Sequence, residues 1–116
     1  MPDTLHSLAA QLSRFAQDRD WQQFHSPKNL ASALIVEAAE LLEHFQWMTD
    51  AQSSALSTEK RDVVADEVAD VLLYLVQLST ALGIDPVEVA QRKLLKNAEK
   101  YPVELAKGNS RKYDEL

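Results

Sequence analysis

Apolar residues recur at helical intervals through four stretches of this chain, and polar connections carrying cap and stop residues separate them. Leu5, Leu8, Leu12 and Phe15 predict a first helix over roughly residues 4–18. After RDWQQFHSP, Ser26-Pro27 supplies a cap and a first helical residue. A second helix is expected from Pro27 to Trp47 or Met48, with Leu30, Leu34, Ala38, Leu41, Leu42 and Phe45 as a broad apolar stripe. The polar stretch TDAQSSALST follows, and Ser57 or Thr58 can cap the next helix. That third helix, over about 59–81, carries Val63, Val64, Val68, Val71, Leu72, Leu75, Val76 and Leu78. These cover more than one stripe, which predicts a central helix with several partners. Gly83 ends it. Asp85-Pro86-Val87-Glu88 starts a fourth helix over about 86–100, with a reciprocal Asp–Glu box expected, and Pro102 limits it. The remainder, 101–116, is too polar for a core of its own and reads as an extended tail. Four helices with short connections and no repeat predict one all-α domain, a four-helix bundle.

Composition agrees. Two Gly, four Pro and an abundance of Ala, Leu, Glu, Gln and Lys in 116 residues favour helix. The net charge of −6 argues against nucleic acid as a partner, and the lack of cysteine removes disulfides, thiolate ligands and thiol nucleophiles. The opening MPDTLHSLAA has no secretory signal pattern. The most apolar run, residues 68–78, contains Asp70 and is too short to span a membrane, so a cytoplasmic location is expected.

The chemistry concentrates in two carboxylate pairs, Glu37 with Glu40 and Glu67 with Asp70. Residues three apart share a helix face, and both pairs sit in apolar segments that ought to pack. Four converging carboxylates repel unless a cation neutralises them, and hard ions such as Mg2+ favour such oxygens. On a continuous second helix Trp47 returns to the face of Glu40, and Tyr74 lies one turn beyond Asp70. Aromatic groups beside a metal suit a flat base joined to an anion, although both residues also suit core edges. Trp21, Phe24 and His25 form a further aromatic group in the first connection. On the fourth helix Lys93, Asn97 and Lys100 share a polar face suited to phosphate or simply to water. Arg111 and Lys112 add charge in the tail.

With IVEAAELLEHFQW, DEVADVLLYLV and KLLKNAEKYP on the page, the chain resembles the MazG-like nucleotide pyrophosphohydrolases, and within them the dCTP pyrophosphatase branch. The E-x-x-E and E-x-x-D signature reads here Glu37-Ala38-Ala39-Glu40 and Glu67-Val68-Ala69-Asp70, and RDWQQFHSPKNLA and SRKY extend the likeness. The resemblance implies hydrolysis of a deoxynucleoside triphosphate, preferably dCTP or a modified dCTP, to monophosphate and pyrophosphate. It implies Mg2+, with Mn2+ a possible substitute and more than one ion feasible, on Glu37, Glu40, Glu67 and Asp70. It places Trp21, Phe24, His25, Trp47 and Tyr74 at the nucleoside, and Lys93, Asn97, Lys100, Arg111 and Lys112 at the phosphates. Leu12 departs from a position that is sometimes polar or histidine in relatives. A dUTP-hydrolysing relative and a non-catalytic binding bundle are the alternatives. A homotetramer is expected, with a dimer as competitor, and a neighbouring subunit is expected to lend Trp21–His25 to the pocket.

Overall fold

The computed structural model describes residues 4–116, and among them its regular elements are all helices. Its elements are α1 (Leu5–Asp18), α2 (Pro27–Glu43), α3 (Asp50–Ser53), α4 (Thr58–Ala81), α5 (Pro86–Lys100) and α6 (Val103–Ala106). Short 3-10 turns lie at Gln22–Phe24 and Tyr113–Glu115. The four long helices match the four periodic stretches. The chain forms two compact units, one ending at Gly83 and one spanning Ile84–Leu116.

In the first unit α4 packs against both α1 and α2, the central position its multi-sided apolar surface demands. His44 at the end of α2 meets Lys60 near the start of α4, Nζ to Nδ1 at 2.9 Å. Further along, Glu37 meets Glu67 and Asp70. Numbers falling on one helix while rising on the other mean that α2 and α4 run antiparallel. The core is small. Ala16, Leu30 and Val76 are the buried apolar residues among those described, and Ser79 is buried with its hydroxyl bonded to the Leu75 carbonyl at 2.9 Å.

Caps set most boundaries. Ser26 Oγ accepts the Asn29 N–H at 3.1 Å, and Ser57 Oγ accepts that of Lys60 at 3.2 Å, each satisfying a donor that the first turn leaves free. Gly83 takes a left-handed φ of 66° after α4, where a Cβ would be strained. Asp85 Oδ1 accepts both the Val87 and Glu88 N–H groups. The reciprocal Asp–Glu box is not formed, because Glu88 turns to Arg92 at 3.6 Å.

Two expectations change. α2 stops at Glu43 instead of continuing to Trp47 or Met48. Beyond it the His44 and Phe45 N–H groups bond to Leu41 and Leu42, three residues back, which tightens the chain out of the α-helix. Thr49 then caps α3 with a full capping box to Gln52, inside the stretch expected to be a polar connection. The tail is not extended throughout: Pro102 opens α6, and Tyr113 packs edge-on to Tyr101 with 6.4 Å between ring centroids.

Candidate functional site

The antiparallel pairing of α2 and α4 brings the two signature segments face to face. Glu37, Glu67 and Asp70 each offer a carboxylate oxygen within 4.8 Å of the others. All three are half-buried, as is Glu40 one turn along from Glu37. Glu37 Oε2 and Glu67 Oε2 are buried without a hydrogen-bond partner. Unsatisfied buried oxygens of this kind are costly. Burial, hydrogen bonding to the Glu40 and Glu67 carboxyls, and the charges of Glu40 and Asp70 push the Glu37 pKa up from 4.5 to about 7. An all-oxygen set with orphaned oxygens fits a hard divalent cation. Glu40 stands outside the tight trio, and its carboxyl is bonded to Glu37.

Beside the acids lies a cavity of about 150 Å³ lined by Leu12, Phe15, Trp21, His25, Asp70, Leu73, Tyr74 and Gln77. Asp70 belongs to both the cavity wall and the acidic trio. The end of α1 explains why Trp21 is there. Asp20 adopts φ 53°, a left-handed conformation that Asp tolerates better than most residues. The Trp21 N–H returns to the Ala16 carbonyl at 2.9 Å, and the Asp20 N–H returns to Gln17 at 3.1 Å. This is the paired bonding of a Schellman motif, whose usual apolar contact across the helix end is made by Trp21 and Phe15. Their rings meet edge-on at 5.8 Å, and His25 meets Trp21 on its other side at 6.5 Å. Arg19 covers the Phe15 ring at 3.6 Å. The first connection is held to α2 by Asn29, whose amide donates to the Phe24 carbonyl at 2.9 Å.

The structure thus joins Glu37, Glu67, Asp70, Tyr74, Trp21 and His25 in one region of one chain. Trp21 and His25 line one cavity with Asp70 and Tyr74 of the same chain. Trp47 is 89% exposed and, with α2 ended, no longer follows the face of Glu40. Phe24 is exposed and lines neither this cavity nor its neighbour. The basic positions all lie in the second unit. There Lys93 is exposed, Asn97 is half-buried, and Lys100 Nζ sits 4.7 Å from the Tyr113 ring centroid. Arg111 and Lys112 flank the Tyr113 turn, with the Arg111 N–H bonded to Asn109 Oδ1 at 3.0 Å.

Phe15, Leu73 and Gln77 were not anticipated in the cavity. Gln77 had a signal, since residues 70, 74 and 77 recur at helical spacing and Gln77 interrupts the apolar run VLLYLVQL. Phe15 and Leu73 looked like any core residues. Among the described residues, no single helix is long and apolar enough to cross a membrane.

Comparison with known proteins gives the chain its family. The chain is 41% identical over 115 residues to the dCTP pyrophosphatase 1 of Homo sapiens and 39% identical to that of Rattus norvegicus. Each match covers 97% of this chain and 68% of the relative. It superposes on the crystal structure of a pyrophosphatase from Archaeoglobus fulgidus with a TM-score of 0.69 at 36% identity, covering 88% of this chain and 95% of that one. The MazG-like family model matches residues 33–116 and so takes in both carboxylate pairs. From the acidic faces of α2 and α4 through to its C-terminal segment, this chain belongs to the MazG-like family.

Proposed function

We propose that this protein is a Mg2+-dependent nucleoside triphosphate pyrophosphohydrolase with a preference for dCTP or a modified dCTP. Its role is to sanitise the nucleotide pool, and a cytoplasmic location suits that role. The observation that carries the reading is the shared wall: Asp70 belongs both to an oxygen trio with orphaned acceptors and to an aromatic cavity. A cation site and a base-sized pocket are thereby one residue apart, the arrangement a nucleotide needs. Similarity to dCTP pyrophosphatases supports the substrate class.

Glu37, Glu67 and Asp70 would hold the metal, with Glu40 completing the set. Mg2+, or Mn2+ in its place, supplies Lewis acidity and charge neutralisation to the phosphates when bound there. Trp21, His25 and Tyr74 enclose the base, and the apolar wall of Leu12, Phe15 and Leu73 excludes water from it. Glu40, the carboxylate outside the trio, accepts a proton from the attacking water. That water adds to the α-phosphorus, the bond to the bridging oxygen breaks, and the nucleoside monophosphate and pyrophosphate leave. Lys93, Asn97, Lys100, Arg111 and Lys112 keep the phosphate-neutralising roles that the family resemblance gives them, and Phe24 and Trp47 remain its further candidates for the nucleoside.

Paired substitutions test the division of labour among the acids. Asp70→Asn is expected to weaken Mg2+ binding, measured by calorimetry, by about tenfold or more and to lower turnover with it. Glu40→Gln is expected to lower kcat by roughly 100-fold or more with Mg2+ affinity much less affected. Full turnover in both variants contradicts the assignment.

A further inference from the structure

Gln77 is the one amide in the apolar run Val71–Leu78 of α4. Asp70, Tyr74 and Gln77 are spaced four and three apart, so a carboxylate, an aromatic ring and an amide follow one another on a single helix face. All three line the cavity that also holds Trp21 and His25. Gln77 and His25 also line an adjoining cavity of about 190 Å³.

The Gln77 side chain is half-buried and donates one amide N–H back to the Leu73 carbonyl at 3.2 Å. That bond turns the amide nitrogen toward the backbone of its own helix. One carbonyl oxygen and one N–H remain, neither with a protein partner among the described residues. An amide can make more bonds than this, and a half-buried one with open valences beside aromatic rings is matched to a polar, planar ligand.

We infer that Gln77 reads the base: its carbonyl accepts from the exocyclic amine of cytosine, and its free N–H donates to the adjacent ring nitrogen. The inference rests on the dCTP reading above and assigns its selectivity to a residue. Along this edge cytosine presents a donor and then an acceptor, whereas uracil presents an acceptor and then a donor. A freely flipping amide would serve both. Flipping Gln77 would turn its oxygen toward the Leu73 carbonyl, exchanging a hydrogen bond for two facing acceptors, so the Leu73 carbonyl fixes the polarity of the readout. Ring position 5 of cytosine lies off this edge, which leaves 5-substituted cytosines readable by the same pair of bonds.

The test compares kcat/KM for dCTP and dUTP in the wild type, Gln77→Leu and Gln77→Glu, with dCMP and dUMP binding measured by calorimetry. Leu removes both bonds at similar volume, and Glu keeps an acceptor but loses the donor. Circular dichroism identifies any variant that fails to fold, and the other variant then decides. The dCTP-to-dUTP ratio is expected to fall by roughly 10- to 100-fold in Gln77→Leu, chiefly through KM. The preference for dCMP over dUMP should collapse in parallel. A folded variant that keeps the wild-type ratio overturns the role of Gln77 while leaving the pyrophosphohydrolase reading intact. A wild type with no preference for dCTP over dUTP overturns the substrate reading itself.

Discussion

Glu37 concentrates the electrostatic conflict of the site, and its titration makes that conflict measurable. Its pKa of about 7 in the folded chain lies above the ordinary 4.5, because burial and three neighbouring carboxyls favour the protonated form. In the metal-free protein the native state therefore binds a proton that the unfolded chain releases between about pH 4.5 and 7. The stabilising contribution is complete below that window, is lost as pH rises through about 7, and stays absent above it. The melting temperature of metal-free protein is expected to fall across this range. Glu37→Gln, neutral at every pH, is expected to flatten the fall. Added Mg2+ replaces the proton as the neutralising charge, so its stabilising effect should grow with pH. A wild-type slope that survives Glu37→Gln would contradict this account of the site.

At the scale of elements, the scaffold is a small core carrying an expensive polar cluster. Leu30, in the first turn of α2, is only 2% exposed and lines the cavity next to Ala16. Leu30→Ala is expected to cost about 2–5 kcal/mol in chemical unfolding, and a loss well below that range would show that the α1–α2–α4 junction is not the core. The sequence revealed elements best where caps carried the signal: Ser26-Pro27, Ser57, Gly83 and Asp85-Pro86 mark the observed ends of α2, α4 and α5. The end of α2 was hidden because HFQWM contains no Gly or Pro and continues the apolar stripe. Only the i-to-i+3 bonding of His44 and Phe45 reveals the stop, so helical spacing no longer carries Trp47 to the face of Glu40. The acidic site was legible because Glu37, Glu67 and Asp70 repeat a spacing within two helices. Its aromatic wall was only half legible. Where α1 meets α4 depends on a left-handed Asp20 and a helix-end motif that residue spacing does not encode, so Phe15 went unseen.

At the scale of the whole molecule, the exposed apolar surface of a single chain calls for a partner. Val68, Leu72 and Leu75 are 38–51% exposed along α4, and Ile35, Val36 and Leu42 are exposed on α2. Side chains of this size in contiguous helical positions mark association surfaces, and symmetric self-assembly is the common way to cover them. Light scattering is expected to give the mass of four chains, with two as the competing outcome. A Leu72→Lys, Leu75→Lys double substitution is expected to shift the protein toward smaller species. A wild-type chain that stays monomeric at every concentration, with full turnover, would contradict the assembly.

The central claim is that the acidic trio and its adjoining cavity direct water to the α-phosphorus of a deoxycytidine triphosphate. Turnover of dCTP in oxygen-18 water with Mg2+ tests it most directly, with products separated and weighed by mass spectrometry. Labelled dCMP and unlabelled pyrophosphate are expected, with no products once Mg2+ is chelated. Label in the pyrophosphate, release of dCDP with inorganic phosphate, or turnover that ignores chelation would contradict it.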